Sequence, residues 1–291
     1  MDSIRLKARA KINLGLDVTG KREDGYHEVR MVMQSISLFD RIAITKSREP
    51  GIRIQTNRAY LPTNEDNLIY KAVRLIMDEY DIHSGVDVVL DKFIPVAAGL
   101  AGGSSDAAAA MVGMTRLFSV KASMERLMEL GVRIGADVPF CIMRGTVLAE
   151  GIGERLTRLE PMPSCPILIA KPGINVSTKF VYSNLRLDES MAHPDIDGMI
   201  EAIKRGDISG ICAKMGNVLE SVTIKEYPVI EEIKQQMIAS GAVNAMMSGS
   251  GPTVFGVFGD KKNAGACARI LRTSGIAKQI YITDVFHCFG R

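Results

Sequence analysis

Cysteine is scarce in this chain, and the few cysteines lie far apart. The sequence contains five of them: Cys141, Cys165, Cys212, Cys267 and Cys288. No C-x-x-C pair occurs, and no pair of histidines lies near a cysteine at the spacing that metal ligands show. This odd, widely spaced set argues against both a disulfide framework and a zinc site. We therefore expect buried, reduced thiols.

The sequence also lacks an excess of charge of one sign. Lysine and arginine total 36, aspartate and glutamate total 33, and the net charge is +3. Basic residues such as Lys261 and Lys262 are dispersed along the chain, which is typical of a solvated surface. Because a nucleic-acid interface concentrates positive charge, we expect no nucleic-acid partner.

Long apolar runs are missing as well. No run approaches the roughly 18 residues that a membrane-spanning helix needs. The first residues, MDSIRLKARAKINL, contain neither the apolar core of a secretion signal nor an acid-poor leader rich in arginine and serine. We therefore expect a cytoplasmic protein with no membrane partner.

The residues that are present indicate strands and helices in both halves of the chain. With 46% hydrophobic and 24% charged residues, 291 residues can bury a sizeable core in one large domain or two closely joined ones. Hydrophobic patterns predict strands at residues 4–18, 28–38, 41–46, 51–56, 86–92, 144–150, 167–171, 242–247, 253–258 and 278–286. They predict helices at residues 67–80, 104–118, 123–130, 177–185, 195–204, 227–240 and 262–274. The turn-rich residues 151–166 are the predicted junction of two halves in an α+β fold.

The first of three notable segments is PVAAGLAGGSSDAAAAM, residues 95–111. It matches neither the P-loop nor the dinucleotide-binding pattern. Gly99, Gly102 and Gly103 allow a close backbone approach and positive φ angles, and a helix start offers unpaired N–H groups to a phosphate. Ser104 and Ser105 suit helix capping, phosphate binding or Mg²⁺ coordination. The segment alone leaves two interpretations open, a phosphate cradle or a helix capped by Ser104.

Two further segments carry candidate polar residues. In AMMSGSGPTVFGVF, the Gly249-Ser250-Gly251 sequence predicts either a hairpin turn or a functional loop. In RIGADVPFCI, Asp137 lies among apolar residues, where a carboxylate is costly unless it is paired or hydrogen-bonded. It is either a helix cap or one half of a functional pair with a cation. Lys11 has equally apolar neighbours, and an Asp–Lys pair beside a phosphate site suits phosphoryl transfer.

Taken in chain order, AKINL around Lys11, PVAAGLAGGSSDAAAA and MMSGSGPTVFG resemble the three motifs of the GHMP kinases. The block GKREDGYHEV, together with GADVPF, is similar to family members that phosphorylate a cytidine-diphosphate-linked sugar alcohol. The resemblance spans essentially the whole chain.

This resemblance implies a two-domain GHMP kinase fold. Residues 1–155 would form an ATP-binding domain like the second domain of ribosomal protein S5, and residues 156–291 a ferredoxin-like domain. ATP and Mg²⁺ are the implied cofactors, in a monomer or homodimer.

The same resemblance assigns candidate site residues. Lys11 and Asp137 match the catalytic pair. The ATP-binding residues would be Pro95, Gly99, Leu100, Ala101, Gly102, Gly103, Ser104, Ser105 and Asn67, with Ser104 nearest the metal. The substrate-binding residues would be Asn13, Tyr26, His27, Thr178, Tyr182, Gly249 and Ser250.

Several of these assignments have a structural alternative. Without the resemblance to the family, the sequence around Tyr26 and His27 predicts an exposed turn, and that around Asn67 predicts the start of a helix. Phe180 competes with Tyr182 as the aromatic residue on the cytosine. Ala101 departs from the motif, which often has glycine there, and its methyl group disfavours a positive φ. The rival functions are a homoserine or mevalonate type of kinase, or a non-catalytic binding protein of the same fold.

Overall fold

The computed structural model describes residues 1–187 and 191–288. These residues form two compact units. The first comprises Met1–Ala10, Leu38–Val96 and Ala101–Met143, and the second comprises Lys11–Ser37, Ala97–Leu100 and the chain from Arg144 onward. Because the units interleave along the sequence, neither is one contiguous segment. The division into domains at residues 155 and 156 stays a prediction.

The strands and helices of both units have the following bounds. The strands are β1 (Ser3–Lys21), β2 (His27–Ser47), β3 (Ile52–Thr56), β4 (Gly85–Asp91), β5 (Thr146–Gly151), β6 (Arg155–Arg158), β7 (Pro166–Lys171), β8 (Gly216–Asn217), β9 (Ala242–Met247), β10 (Val254–Phe258) and β11 (Gln279–Asp284). The helices are α1 (Leu68–Glu79), α2 (Gly102–Leu117), α3 (Met124–Val132), α4 (Val138–Met143), α5 (Thr178–Asn184), α6 (Ile196–Lys204), α7 (Ile208–Ala213), α8 (Glu220–Glu226), α9 (Val229–Ala239) and α10 (Lys261–Ser274).

The first unit packs helices on one face of a small sheet. The later part of β2 pairs antiparallel with β4, which pairs parallel with β3. Helix α2 packs against α1 and α4. A Cβ at Gly113 would lie 2.8 Å from the side chains of Ile44 and Leu6, so this glycine lets α2 approach the sheet closely. The buried face of α1 has the helical spacing of apolar residues: Ile69, Ala72, Val73, Ile76 and Met77.

The second unit is built on an antiparallel sheet in the order β11-β7-β10-β9. Central strand β7 is buried along its whole length, as its run of apolar residues requires. Helices α9 and α10 pack against this sheet. Separately, the early part of β2 pairs with β5, β5 pairs with β6, and β8 pairs with β1.

The α+β class is confirmed, and most predicted elements exist within a few residues of their expected bounds. The predicted strands 28–38 and 41–46 are one strand, β2. Asp40, between the two predicted strands, is buried within β2, and its carboxylate accepts hydrogen bonds from the backbone N–H groups of Phe93 and Ile94. The elements that the sequence did not predict are short: α4, α7, α8, β6 and β8.

The structure also bears on the expectations for the cysteines and for membrane-spanning helices. The cysteines are all free, four of them buried, whereas Cys288 is exposed. The prediction of buried, reduced thiols is therefore confirmed for four residues. Within residues 1–187 and 191–288, no helix is long and apolar enough to cross a membrane.

Candidate active site

The start of α2 offers unpaired backbone donors. The helix begins at Gly102, two residues before the predicted start, and Ala101 occupies the N-cap position without a side-chain acceptor. The Ser105 N–H donates to the Ala101 carbonyl at 2.8 Å, so the N–H groups before it lack intrahelical partners. With the positive end of the helix dipole, they form a site suited to an anion such as phosphate.

The two serines in this turn have different environments. The Ser105 hydroxyl is buried and donates to the Arg9 carbonyl at 2.6 Å. In the described part of the chain, the Ser104 hydroxyl has no hydrogen-bond partner, and its residue is partly exposed. The alternative prediction that Ser104 caps α2 is wrong, because the helix starts before it. Ser104 therefore carries the hydroxyl that is available to a ligand.

Ala101 adopts the left-handed conformation, with φ 53° and ψ 32°. The motif often has glycine at this position, and the structure requires the backbone geometry that glycine favours. For an alanine, this conformation costs roughly 1–2 kcal/mol because Cβ approaches the following carbonyl oxygen. Ala97, in the same loop, also has a positive φ of 50°.

The glycines at the start of α2 are also required by packing inside the first unit. A Cβ at Gly102 would lie 2.9 Å from Lys92 Nζ and 3.0 Å from the Ile94 side chain. A Cβ at Gly103 would lie 3.2 Å from the Leu68 side chain. One side of the turn is therefore filled by neighbouring side chains.

Sequence reasoning missed a buried charged cluster of Asp40, Lys92 and Asp106. Lys92 Nζ lies 2.5 Å from Asp40 Oδ2 and 2.6 Å from Asp106 Oδ2. Burial opposes the charge of Lys92, but the two carboxylates outweigh it and raise the pKa of the ammonium group. Burial raises the pKa of Asp106 well above its usual value. The available signal was a charged residue in or next to three apolar segments: Asp40 in β2, Lys92 after β4 and Asp106 in the alanine-rich α2.

The other candidates of the first unit lie at helix starts. Asn67 caps α1: its side chain accepts from the Ile69 N–H at 2.8 Å and donates to the Pro62 carbonyl at 2.7 Å. This agrees with the structural alternative for Asn67, and its contact with adenine stays a prediction. Asp137 directly precedes α4, and its carbonyl accepts from the Cys141 N–H. Pro95 is buried before the glycine loop.

The loop that contains Asp137 lies against the start of α2. A Cβ at Gly135 would be 3.9 Å from the Ser104 hydroxyl oxygen. Because Gly135 is two residues from Asp137, the first unit brings this acid and the available serine hydroxyl to the same region.

Lys11 is a buried cation of the second unit. Its Nζ donates to Asn13 Oδ1 at 2.7 Å, and its backbone N–H donates to the Leu100 carbonyl at 3.1 Å. Lys11 and Asn13 are two residues apart on β1, so both side chains point to the same face of the strand. The structure therefore associates two of the predicted site residues directly.

The Gly249 turn also lies at this site. It joins β9 and β10, so the hairpin prediction is correct. The Ser248 hydroxyl donates to the Gly99 carbonyl at 2.9 Å, and a Cβ at Gly249 would lie 3.6 Å from Lys11 Nζ. Asn217 Nδ2 donates to the Gly249 carbonyl at 2.8 Å. The turn thus packs against the first glycine loop as well as closing a hairpin.

A pair of aromatic rings, His27 and Tyr182, lies elsewhere in the second unit. The His27 and Tyr182 rings are 5.0 Å apart and tilted by 40°. Partial burial, with the nearby Lys21, lowers the pKa of His27 from 6.5. Tyr26 is 59% exposed, and Phe180 is 40% exposed. The contact with His27 favours Tyr182 over Phe180 as the candidate for stacking on a base.

Polar contacts stabilise the turn that directly precedes His27. The Tyr26 N–H donates to Asp24 Oδ1 at 3.1 Å, and Arg22 pairs with both Asp24 and Glu28. The charged residues of GKREDGYHEV therefore shape the turn that presents Tyr26 and His27.

The hydroxyls of Thr178 and Ser250 are 2.8 Å apart. This contact links the start of α5, the helix that carries Tyr182, to the Gly249 turn.

Comparison with known proteins identifies the class of this protein. The family model of the GHMP kinase N-terminal domain matches residues 67–145, and that of the C-terminal domain matches residues 199–277. The chain belongs to the GHMP kinase family. The predicted two-domain GHMP kinase fold is confirmed.

Its relatives within the family are the 4-diphosphocytidyl-2-C-methyl-D-erythritol kinases. The protein with this name from Lachnospira eligens is 62% identical over 98% of this chain and 99% of its own length. That from Lachnoclostridium phytofermentans is 54% identical over 98% of both chains. A crystal structure of 4-(cytidine 5'-diphospho)-2C-methyl-D-erythritol kinase matches with a TM-score of 0.84 at 32% identity, covering 97% of this chain and 99% of that one.

Proposed function

We propose that this protein transfers the γ-phosphoryl group of ATP to the 2-hydroxyl of 4-diphosphocytidyl-2-C-methyl-D-erythritol. The products are the 2-phosphate and ADP, in the non-mevalonate pathway of isoprenoid biosynthesis. The proposal is supported by full-length relatives of that name and by an anion-binding helix start in a GHMP kinase fold. The observation that carries the substrate choice is the His27–Tyr182 ring pair.

Lys11 and Asp137 are the proposed catalytic residues. Asp137 would accept the proton of the 2-hydroxyl or orient it for attack. Lys11, held by Asn13, would stabilise the negative charge that develops on the reacting oxygens. In phosphoryl transfer, positioning and charge stabilisation supply most of the catalysis, so these roles need no covalent intermediate.

ATP would bind with its phosphates at the start of α2, over Gly102, Gly103 and Ser104. The described residues contain no cluster of three His, Cys, Asp or Glu side chains that could hold a metal ion. Mg²⁺ is commonly held by substrate phosphates with only one or two protein oxygens, and the unbonded Ser104 hydroxyl fits that role. When bound, Mg²⁺ would neutralise phosphate charge.

The nucleobase of the acceptor would bind beside Tyr182 and His27, with Tyr26 and Thr178 at the edge of the pocket. Aromatic rings stack on a cytosine, and a neutral imidazole both donates and accepts hydrogen bonds. Homoserine and mevalonate have no base to stack. Because ATP is a cytoplasmic metabolite, the proposal includes a cytoplasmic location, for a monomer or homodimer.

A phosphate-transfer assay tests the proposal. The protein is incubated with ATP, Mg²⁺ and each of three acceptors: diphosphocytidyl methylerythritol, mevalonate and homoserine. We expect ADP release with the first acceptor alone. Equal turnover of homoserine would favour another small-molecule kinase of the family. Binding of ATP and acceptor without turnover would favour the non-catalytic alternative.

A further inference from the structure

The buried cluster of Asp40, Lys92 and Asp106 lies directly below the start of α2. The three residues are 0%, 4% and 3% exposed. The position that a Cβ on Gly102 would occupy is only 2.9 Å from Lys92 Nζ. The ammonium group therefore fills the space that the missing side chain leaves open. Gly102 is required here because a larger residue would displace Lys92.

The cluster is anchored more firmly on one side than on the other. Asp40 uses both carboxylate oxygens: Oδ2 bonds Lys92, and Oδ1 accepts from the N–H groups of Phe93 and Ile94. The backbone of Lys92 is held in turn by the side chain of Asn57. Lys92 is thus fixed to the sheet by partners that belong to neighbouring strands and loops.

Asp106, on α2, is held mainly by Lys92. Its Oδ2 accepts from Lys92 Nζ, while its Oδ1 is buried without a hydrogen-bond partner among residues 1–187 and 191–288. Burying an oxygen without a hydrogen-bond partner costs free energy, so the bond that the other oxygen makes with Lys92 has to compensate for it. The Asp106–Lys92 bond thus joins the start of α2 to a lysine that is itself fixed to the sheet.

The charged groups of the cluster follow one another from the sheet towards the start of α2. The Asp40 carboxylate lies against the backbone of Phe93 and Ile94, and the ammonium group of Lys92 lies against Gly102. The ammonium group therefore lies between the Asp40 and Asp106 carboxylates, directly below the turn with unpaired N–H groups. Because two acids surround one ammonium group, the cluster adds no net positive charge, and it acts on the turn by holding it in place.

We propose that Lys92 is a positioning residue for ATP, which fixes the first turn of α2 beneath the bound phosphates. The inference rests on the proposed function, since it takes the start of α2 as the phosphate site. Lys92 would not touch the transferred group. Its loss should therefore weaken nucleotide binding and leave binding of the acceptor unchanged.

The test compares Lys92→Met with the double variant Asp40→Asn/Lys92→Met. The single variant leaves two buried acids without their cation and can fail to fold, whereas the double variant also removes the Asp40 charge. Calorimetry measures ADP binding with Mg²⁺, and steady-state kinetics measures KM for ATP and for the cytidyl acceptor. We expect the folded double variant to bind ADP about tenfold more weakly, with KM for ATP raised similarly, because the first turn of α2 loses the anchor that preorganises it. KM for the acceptor should stay within about twofold.

Lys234→Met is the matched control. Lys234 also bonds two acids, Glu220 and Glu231, but lies in the second unit. Its loss should lower the melting temperature without changing ADP binding.

If the folded double variant binds ADP as tightly as the wild type, Lys92 has only a structural role and the inference is wrong. If the wild type itself binds no ADP, the proposed ATP site fails and the inference fails with it. If the wild type binds ADP but phosphorylates no acceptor, the proposed function fails and the ADP comparison still decides the role of Lys92.

Discussion

The side chain of Ser248 donates a hydrogen bond to the carbonyl oxygen of Gly99 at 2.9 Å. This bond joins the two glycine-rich loops of the second unit, although the residues are 149 positions apart. Gly99 has a φ of 72°, and a Cβ there would lie 2.0 Å from the Ser248 carbonyl oxygen. No side chain fits at this position without moving one of the loops.

Gly99→Ala should therefore destabilise the protein by more than about 2 kcal/mol, since both φ and the Ser248 backbone oppose a Cβ. Thermal unfolding would measure the loss. Gly259→Ala is the control, because nothing lies within 4 Å of its Cβ position. It should change stability by less than about 1 kcal/mol. Equal effects of the two substitutions would contradict the close approach at Gly99.

Ala101→Gly should stabilise the protein. Removing Cβ relieves roughly 1–2 kcal/mol of left-handed strain, and the greater freedom of glycine in the unfolded chain offsets about 0.4–1 kcal/mol. The expected net gain is about 0.5–1 kcal/mol, seen as a rise of a degree or two in melting temperature. Ala266→Gly, inside α10, should have the opposite sign, because glycine weakens a helix interior. A loss of stability in Ala101→Gly would show that the loop tolerates its alanine without strain.

Asp137→Asn should lower kcat by about 10²–10⁴-fold, because an amide cannot accept the hydroxyl proton. The fold should persist, since asparagine replaces aspartate well at a helix start. Asp207→Asn is a matched control at the start of the six-residue α7, where Asp207 Oδ1 accepts from the Gly210 N–H at 2.9 Å. It should change neither kcat nor the melting temperature. An unchanged kcat in Asp137→Asn would remove Asp137 from its proposed role.

Tyr182→Ala should raise KM for the cytidyl acceptor by about tenfold or more, since loss of base stacking costs roughly 1–3 kcal/mol. KM for ATP should stay unchanged. Phe180→Ala is the control on the same helix, and its effect should be within about twofold. The reverse result, with only Phe180→Ala raising this KM, would move the stacking role to Phe180.

Binding of the acceptor should weaken in acid because of His27. Its pKa lies below 6.5, so the imidazole is neutral at neutral pH and becomes charged only in more acidic solution. Burial and the nearby Lys21 disfavour the charged form, which also loses its hydrogen-bond acceptor. KM for the acceptor should therefore rise as pH falls from about 7.5 to about 5. His27→Gln should flatten this part of the profile, and a persistent rise would assign it to another group.

Local patterns predicted the elements whose residues share one clear face. Helix α1 was expected at residues 67–80 and spans Leu68–Glu79, because its apolar residues recur at helical spacing. Strand β9 has its predicted bounds. Helices α4 and α7 have six residues each, which is too short for a repeat to be recognised.

The candidate site was only partly predictable because several of its contacts join residues that are distant in the sequence. Lys11 and Asn13 are neighbours on one strand, so a strand pattern already aligns their side chains. The contact of Lys92 with Asp40 and Asp106 depends on pairings 52 and 14 residues apart, which no local pattern encodes. The left-handed backbone of Ala101 is likewise imposed by the surrounding loop, since alanine itself favours a helix.

The boundary between the two units falls between Ala10 and Lys11, inside the single strand β1. Strand β2 also crosses from one unit to the other, between Ser37 and Leu38. A gene fragment that ends near residue 155 would therefore encode all of one unit and only scattered pieces of the other. A single cut therefore cannot separate these two units, and an insertion in either long strand would fall in a segment that both units share.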